Sequence, residues 1–286
     1  MTAYAASRLG RIRPLSRVSG HPLGVTVAGG TIVFIVMVAI FAPLLTPADP
    51  NQASIIDQYL SPSADHWLGT DASGRDLLSR LIEGSRTALL GPTIVILIST
   101  PIGVAAALLA AWRGGWLDAV ISRVIDVSFA FPGLLLAIIA AAVFSPSLLV
   151  AAVALSVTYT AYTARVVRSE ALRQRSRPYI EALWVQGHST LSIWRRHLLP
   201  NLMPLILAQV TLSFAYATVD IATVSFLGLG VQPPTADWGT MVAEGKAAIE
   251  EGFPQESLYA SGCLVVLILS VSVVGDYLTD RAEQRK

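Results

Sequence analysis

The stretch VSFAFPGLLLAIIAAAVFSPSLLVAAVALSVTYTAYTA, residues 127 to 164, contains no charged residue and decides how the chain is organised. A helix that crosses a membrane needs about 20 mostly apolar residues, so this run is too long for a single crossing. The Ser-Pro-Ser sequence at 145 to 147 is a turn signal in its middle. We therefore predict two spanning helices here, the first beginning near Ala119.

The composition predicts a lipid environment for the whole chain. Of its 286 residues, 53% are hydrophobic and 14% are charged, and the mean hydropathy is +0.61. Soluble domains carry roughly 25% charged residues. Four more runs are apolar and long enough to cross a membrane: Gly24 to Leu45, Thr87 to Trp112, Leu202 to about Thr223, and Leu258 to Leu278. The sequence thus predicts six spans.

The basic residues predict the orientation of these spans, because Lys and Arg near span ends concentrate on the cytoplasmic side. With six spans, sixteen of the 20 Lys and Arg residues fall on the side that holds both termini. The other four fall on the opposite side: Arg75, Arg80, Arg86 and Lys246. We therefore predict a multi-pass protein of the cell (inner or plasma) membrane with both termini cytoplasmic. The loops 46–84 and 224–257 would face outward, the second with a short helix around Met241 to Ile249.

The stretch YIEALWVQGHSTLSIWRRHLLPN, residues 179 to 201, is a polar and basic interruption between two spans. Ile180, Leu183 and Trp184 fall at i, i+3 and i+4, which places them on one face of a short helix. Such an apolar face either docks into a groove on a partner protein or lies on lipid headgroups. The residues alone leave both possibilities open.

Local signals predict how this stretch is divided. Gly187 can take the left-handed conformation that ends the first short helix. Ser189 can then cap a second helix over Thr190 to Leu199. Pro200 fits the first turn of the fifth span, where its missing N–H costs nothing.

Three stretches of the chain resemble one protein family. Residues 181 to 200 resemble the E-A-A-x3-G-x9-I-x-L-P loop of ABC importer permeases, with Leu183 at the second Ala and His197 at the Ile. HWLGTDASGRDLLSRLIEGSRTAL (66 to 89) resembles the LGTD..GRD..SR...G.R.SL signature of the C-type permease in dipeptide, oligopeptide and nickel importers. SFLGLGVQPPTADWGTM (225 to 241) resembles the LSFLGLGVQPP...WG stretch of the same branch.

The resemblance implies an all-α polytopic membrane protein with six transmembrane helices and a type I ABC importer permease fold. It divides the chain into residues 1–84 (N-terminus, first span and outward loop), the permease core 85–278 with a coupling loop at 168–200, and a cytoplasmic tail at 279–286. In the family, the coupling loop docks on the ATPase. The residues of this chain that we predict to couple to the ATPase, from the motif and from the apolar helix face, are Ile180, Glu181, Ala182, Leu183, Trp184, Gly187, Leu199 and Pro200. An outer gate or pathway would involve Asp220, Phe226, Gly228, Gly230 and Trp238.

The resemblance also implies partners. These are a homologous B-type permease in a heterodimer, two cytoplasmic ATP-binding subunits or one fused ATPase, an extracytoplasmic substrate-binding protein, and the lipid bilayer. The chain itself lacks the G-x4-G-K-[ST] loop, and its only lysines are Lys246 and Lys286, so ATP hydrolysis must come from another chain. The sequence predicts no catalytic residue, cofactor, metal ion or nucleic acid, since the four histidines lack metal-ligand spacing.

Peptides are the substrate that the resemblance favours, with nickel or another small solute as the alternative. A secondary transporter would show inverted repeats and charges at mid-membrane. A membrane-embedded enzyme would need a nucleophile and base, or a metal cluster. The sequence displays neither pattern. Of the acids nearest the membrane interior, Asp126 is expected to pair with Arg123, and Asp220 to lie close to the outer boundary.

Overall fold

The computed structural model describes residues 22 to 283, which form an all-α fold, as predicted. The predicted cytoplasmic residues 1–21 and 284–286 lie outside this range. The helices are α1 (Pro22–Ile40), α2 (Ala42–Leu45), α3 (Leu77–Arg113), α4 (Gly115–Ala130), α5 (Gly133–Phe144), α6 (Leu148–Arg175), α7 (Pro178–Val185), α8 (Thr190–Ile193), α9 (Leu199–Phe226), α10 (Trp238–Glu250) and α11 (Gln255–Glu283).

Five of the helical runs in this range are long and apolar enough to cross a membrane. They contain α1, α3, α6, α9 and α11. The consecutive helices α4 and α5 qualify together, with a bend of 80° between them, and make six spans if they are one crossing. The predicted multi-span architecture is therefore confirmed.

The bend between α4 and α5 corrects the prediction of one helix from Ala119 to the turn at 145. Helix α4 already begins at Gly115, and it ends before Phe131, which is extended at φ −103° and ψ 122°. Pro132 explains the break, because a proline ring disfavours the helical conformation of the preceding residue. The segment predicted as the third span therefore consists of two helices joined by a sharp bend.

The predicted division of the long apolar run is confirmed. Helix α5 ends at Phe144, followed by Ser145 at φ +72°. Ser147 then caps α6, its side chain accepting a hydrogen bond from the Val150 amide at 3.2 Å. The turn signal read from Ser-Pro-Ser therefore separates two helices.

Two spanning helices extend well beyond their predicted apolar runs. Helix α3 begins at Leu77 rather than at Thr87, and α6 continues through Arg175. The polar extension of α6 is held by ion pairs, since Arg168 makes two 2.6 Å hydrogen bonds to Asp118 of α4. Hydropathy detects only the part of a helix that suits lipid, so the polar ends were predicted as loops.

Helix α3 is the central element and packs along α6 and α9. Small residues permit this close approach: a Cβ on Gly103 would lie 2.8 Å from Thr163 Cβ of α6. At 37 residues α3 is about 55 Å long, which exceeds the roughly 30 Å hydrocarbon core. Its last turns share an apolar cluster with α7, and its first turns share another with α10. We call these the α7 end and the α10 end of the bundle.

Candidate functional site

Helix α7 and the turn after it form the centre of the α7 end. The turn is a Schellman motif: Gly187 N donates to Trp184 O at 3.0 Å and His188 N donates to Leu183 O at 3.1 Å. Gly187 has φ +80°, the left-handed conformation predicted for it. Ser189 then caps α8, as predicted, by accepting a hydrogen bond from the Ser192 amide.

The second short helix is not separate from the fifth span. A π turn over Trp194–Leu198 joins α8 to α9, so the helical run continues from Thr190 to Phe226. Helix α9 begins at Leu199, with Pro200 in its first turn as predicted. The extra residue in a π turn accommodates Pro200, which cannot donate to the carbonyl one turn earlier and whose ring would clash with it.

The apolar face of α7 lies against the chain's own bundle. Ile180 is 3% exposed and belongs to the cluster at the end of α3, and Leu183 packs against the same cluster. Trp184 is half-exposed, with its ring centroid 5.6 Å from that of Trp112. The chain's own bundle therefore covers almost all of Ile180, although the sequence places it with the other two residues on one helix face.

A different set of side chains is exposed on the protein surface at the α7 end. Glu181 and Ala182 are exposed on α7, and Val185, 90% exposed, stands at its last turn. Leu191 of α8 is also exposed. Among the remaining predicted coupling residues, Pro200 is exposed, whereas Leu199 is half-buried and packs on the same cluster as Ile180.

A cavity of about 430 Å³ opens beside α7. It is lined by Trp112, Arg175, Ile180, Glu181, Trp184 and Val185. Arg175 is held in place by donating to Ala111 O at 2.6 Å, near the end of α3, where free carbonyls and the helix dipole favour a cation. The cavity combines apolar rings with one basic and one acidic side chain.

A second cavity, of about 460 Å³, opens at the surface of the bundle beside the bend between α4 and α5. Asp220 of α9 lines it and accepts a hydrogen bond from Tyr159 Oη of α6 at 2.8 Å. The rest of the lining is mostly aromatic and apolar: Phe129, Pro132, Gly133, Leu134, Thr158, Tyr162 and Tyr216. This arrangement puts one carboxylate in an aromatic cavity, a setting suited to a cationic group.

Asp126, the other acid near the membrane interior, does not belong to this cavity. Its carboxylate pairs with Arg165 of α6 at 2.7 Å, and both side chains are more than half exposed. The expectation that Asp126 pairs with Arg123 was therefore wrong. The true partner lies 39 residues away in sequence, and local spacing could not identify it.

Of the residues predicted for an outer gate, Phe226 and Gly228 are exposed at the end of α9, whereas Gly230 and Trp238 are buried. Phe226 is exposed at the end of α9, and Gly228, at φ +74°, ends that helix with a second Schellman motif. Gly230 is buried where a Cβ would lie 2.9 Å from Ser225 Cα, so only glycine fits without movement. Trp238 is buried and donates from Nε1 to Leu81 O at 2.9 Å, which ties α10 to α3.

Helix α10 begins at Trp238 and includes the predicted Met241 to Ile249. Its cap is Asp237, whose carboxylate accepts hydrogen bonds from the amides of Gly239 and Thr240 at 3.0 and 3.1 Å. Burial raises the pKa of this carboxyl, while those hydrogen bonds act in the opposite direction. The cap fixes the start of α10 against α3.

Sequence reasoning missed an ion-pair network at the α10 end. Arg75 Nε lies 2.6 Å from Asp71 Oδ2, and Arg75 Nη2 lies 2.7 Å from Glu244 Oε2 of α10. Arg80, buried in α3, reaches Glu244 at 3.2 Å and also donates to the carbonyls of Pro50 and Pro234. The Gly-Arg-Asp part of the 66–89 stretch was the available signal, but Glu244 lies 169 residues away from Arg75.

Comparison with known proteins places this architecture among transport components. Residues 99 to 286 match the family described as binding-protein-dependent transport system inner membrane component. The chain is 34% identical over 254 residues to the dipeptide transport system permease protein DppC of Alkalihalophilus pseudofirmus, covering 89% of this chain and 83% of that protein. It is 38% identical over 227 residues to the probable D,D-dipeptide transport system permease protein DdpC of Escherichia coli, covering 79% and 76%.

The fold also resembles a solved structure. A chain of the MetNI methionine ABC transporter in an inward-facing conformation aligns with a TM-score of 0.59 at 20% identity. The alignment covers 72% of this chain and 97% of that one. At this level of identity the likeness concerns the fold.

Proposed function

This chain belongs to the family of binding-protein-dependent transport system inner membrane components, and we propose that it forms half of the transmembrane pathway of an ATP-driven peptide importer. It is an ABC importer permease with a type I permease fold and several membrane-spanning helices. Peptides are the proposed cargo because the similar permeases are named for dipeptide and peptide transport.

We propose that the α7 end is the cytoplasmic coupling surface for the ATPase. The observation that carries this proposal is the exposure of Val185, an apolar side chain on a short helix that packs against the bundle. Ile180 and Leu183 would fix α7 to the end of α3 by packing in the shared apolar cluster. A displacement of α7 by the ATPase would then be transmitted to the spans. Glu181, Ala182, Trp184 and Val185 would make the contact itself.

The proposed partners follow from this arrangement. A homologous B-type permease would complete the pathway, cytoplasmic ATP-binding subunits would dock at the α7 end, and an extracytoplasmic binding protein would deliver peptide to the α10 end. Both termini would then be cytoplasmic. In this orientation the sixteen basic residues lie on the cytoplasmic side, as the positive-inside rule requires.

We assign the pathway to the cavity that contains Asp220. The carboxylate would attract the ammonium group of a peptide, and the surrounding rings would contact its side chains. Phe226 would stand at the outer gate. Gly228, Gly230 and Trp238 would position that gate, since they shape the end of α9 and hold α10 in place.

The assignment of the α7 end as the coupling surface is tested by a substitution at Val185 alone. In membranes that contain the full complex, Val185→Asp should still insert and pair with the second permease, because no span is altered. It should lose most of the copurifying ATPase and ATP-dependent dipeptide uptake. Val143→Asn, at an exposed position on α5 away from α7, provides the control and should retain the ATPase. Full ATPase retention by Val185→Asp would contradict this assignment of the coupling surface.

A further inference from the structure

Three carboxylates converge at the α10 end from three separate segments of the chain. Asp71 comes from the loop before α3, Glu244 from α10, and Glu256 from the first turn of α11. One carboxylate oxygen of each residue lies within 4.8 Å of the other two. Like charges so close together need a compensating positive charge or proton.

Glu256 is the member whose charge is left uncompensated by direct contacts. Its residue is 3% exposed, and neither of its carboxylate oxygens has a hydrogen-bond partner within residues 22 to 283. A buried carboxylate without donors is costly. This side chain points into the acidic cluster, so its missing partner belongs in the space that the three carboxylates share.

Arg75 and Arg80 supply two positive charges to this cluster of three negative ones. Arg75 contacts Oδ2 of Asp71 and Oε2 of Glu244 directly, and Arg80 reaches the same two oxygens at 3.4 and 3.2 Å. These contacts hold two of the carboxylates in fixed orientations, which is the usual work of groups placed behind metal ligands. They leave the two carboxylate oxygens of Glu256 without a partner among the described residues.

We propose that Asp71, Glu244 and Glu256 bind a divalent cation, Ca²⁺, at the outward end of the permease. The ligand set consists only of carboxylate oxygens, which suits a hard cation. One oxygen of each carboxylate lies close enough to the other two to share a single ion, and Ca²⁺ binds such oxygens at about 2.3–2.6 Å. Ca²⁺ also accepts irregular coordination, whereas Mg²⁺ demands a nearly ideal octahedron.

The burial of the ligands indicates how an ion would enter the site and which segments it would connect. The Asp71 side chain is fully buried, but that of Glu244 is 29% exposed and opens the cluster to the outside. A bound ion would connect the loop before α3, α10 and the start of α11 at one point. Histidine spacing in the sequence gave no hint of this site, because its ligands are acids drawn from distant segments.

The test measures equilibrium binding of ⁴⁵Ca²⁺ to the full-length chain purified in detergent at pH 7.5. We expect one saturable site per chain, with a Kd of about 10⁻⁴–10⁻³ M, as in extracellular calcium modules, and a thermal midpoint that rises with Ca²⁺. Glu256→Gln should weaken binding at least tenfold and lose the thermal shift. Glu250→Gln, an exposed acid on the same helix as Glu244, should bind as the unaltered chain does.

Glu244→Gln, at the ligand whose side chain is 29% exposed, keeps the test decisive if Glu256→Gln fails to fold. It should also weaken binding at least tenfold. The proposal is overturned if the unaltered chain shows no saturable binding up to about 10 mM Ca²⁺, ten times the upper end of that affinity range. It is equally overturned if the correctly folded ligand variants bind as tightly as the unaltered chain, in which case Glu256 is neutralised by a proton.

Discussion

Trp112 at the end of α3 and Trp184 on α7 meet with ring centroids 5.6 Å apart and planes tilted by 54°. Trp112 also meets Trp194 edge to face at 5.9 Å. The central helix is therefore connected through one aromatic group to both segments that flank the Gly187 turn. A displacement of α7 would be transmitted directly to α3 by this contact.

The first prediction concerns this aromatic contact. Trp184→Ala should destabilise the packing of α7 against the bundle by about 1–3 kcal/mol, since it removes an aromatic pair and part of a large apolar contact. Val185→Ala, one residue later, should change stability by less than about 0.5 kcal/mol because Val185 makes little contact with the bundle. Thermal unfolding of the two purified variants measures the difference. Equal midpoints would mean that the aromatic pair does not hold α7.

The second prediction separates backbone conformation from packing at Gly187. A Cβ on Gly187 would meet nothing within 4 Å, so any penalty for substitution arises from φ +80° alone. Gly187→Val should therefore cost about 1–2 kcal/mol, the penalty of the left-handed conformation, and reduce ATPase copurification. Gly187→Asn is the matched control and should be milder, because asparagine tolerates this conformation. If Val and Asn behave alike, the turn does not determine the direction of α7.

These residues also indicate what the sequence can and cannot predict. Gly187, Ser189 and the Ser-Pro-Ser turn act through their own backbone and nearest neighbours, so their roles were readable from local sequence. The inward orientation of Ile180 could not be predicted, because the sequence of an amphipathic helix face does not reveal whether that face contacts its own bundle or another protein. The Arg75–Glu244 pair was equally hidden, since it depends on how distant segments pack.

The third prediction compares a buried arginine with an exposed one on α3. Arg80 is 1% exposed, so Arg80→Met should destabilise the protein by about 3–5 kcal/mol by leaving the acidic cluster short of a positive charge. Arg86 pairs with Glu83 at the surface, and Arg86→Met should cost about 0–1 kcal/mol. Thermal midpoints of the two variants provide the comparison. A small effect at Arg80 would show that the network contributes little to stability.

The last prediction tests the carboxylate in the aromatic cavity. If Asp220 attracts the ammonium group of a peptide, Asp220→Asn should lower dipeptide uptake at least tenfold, because the amide keeps the shape but removes the charge. Tyr159→Phe removes the 2.8 Å hydrogen bond and leaves the charge, so it should reduce uptake less. Glu250→Gln is the control, since this exposed acid on α10 does not line the cavity and its change should leave uptake near the original rate. All three variants should retain the ATPase, because the proposed docking surface is at the α7 end and none of the three residues belongs to it. Uptake by Asp220→Asn at the original rate would show that the carboxylate serves only to hold Tyr159, and the pathway would then have to be sought elsewhere in the bundle.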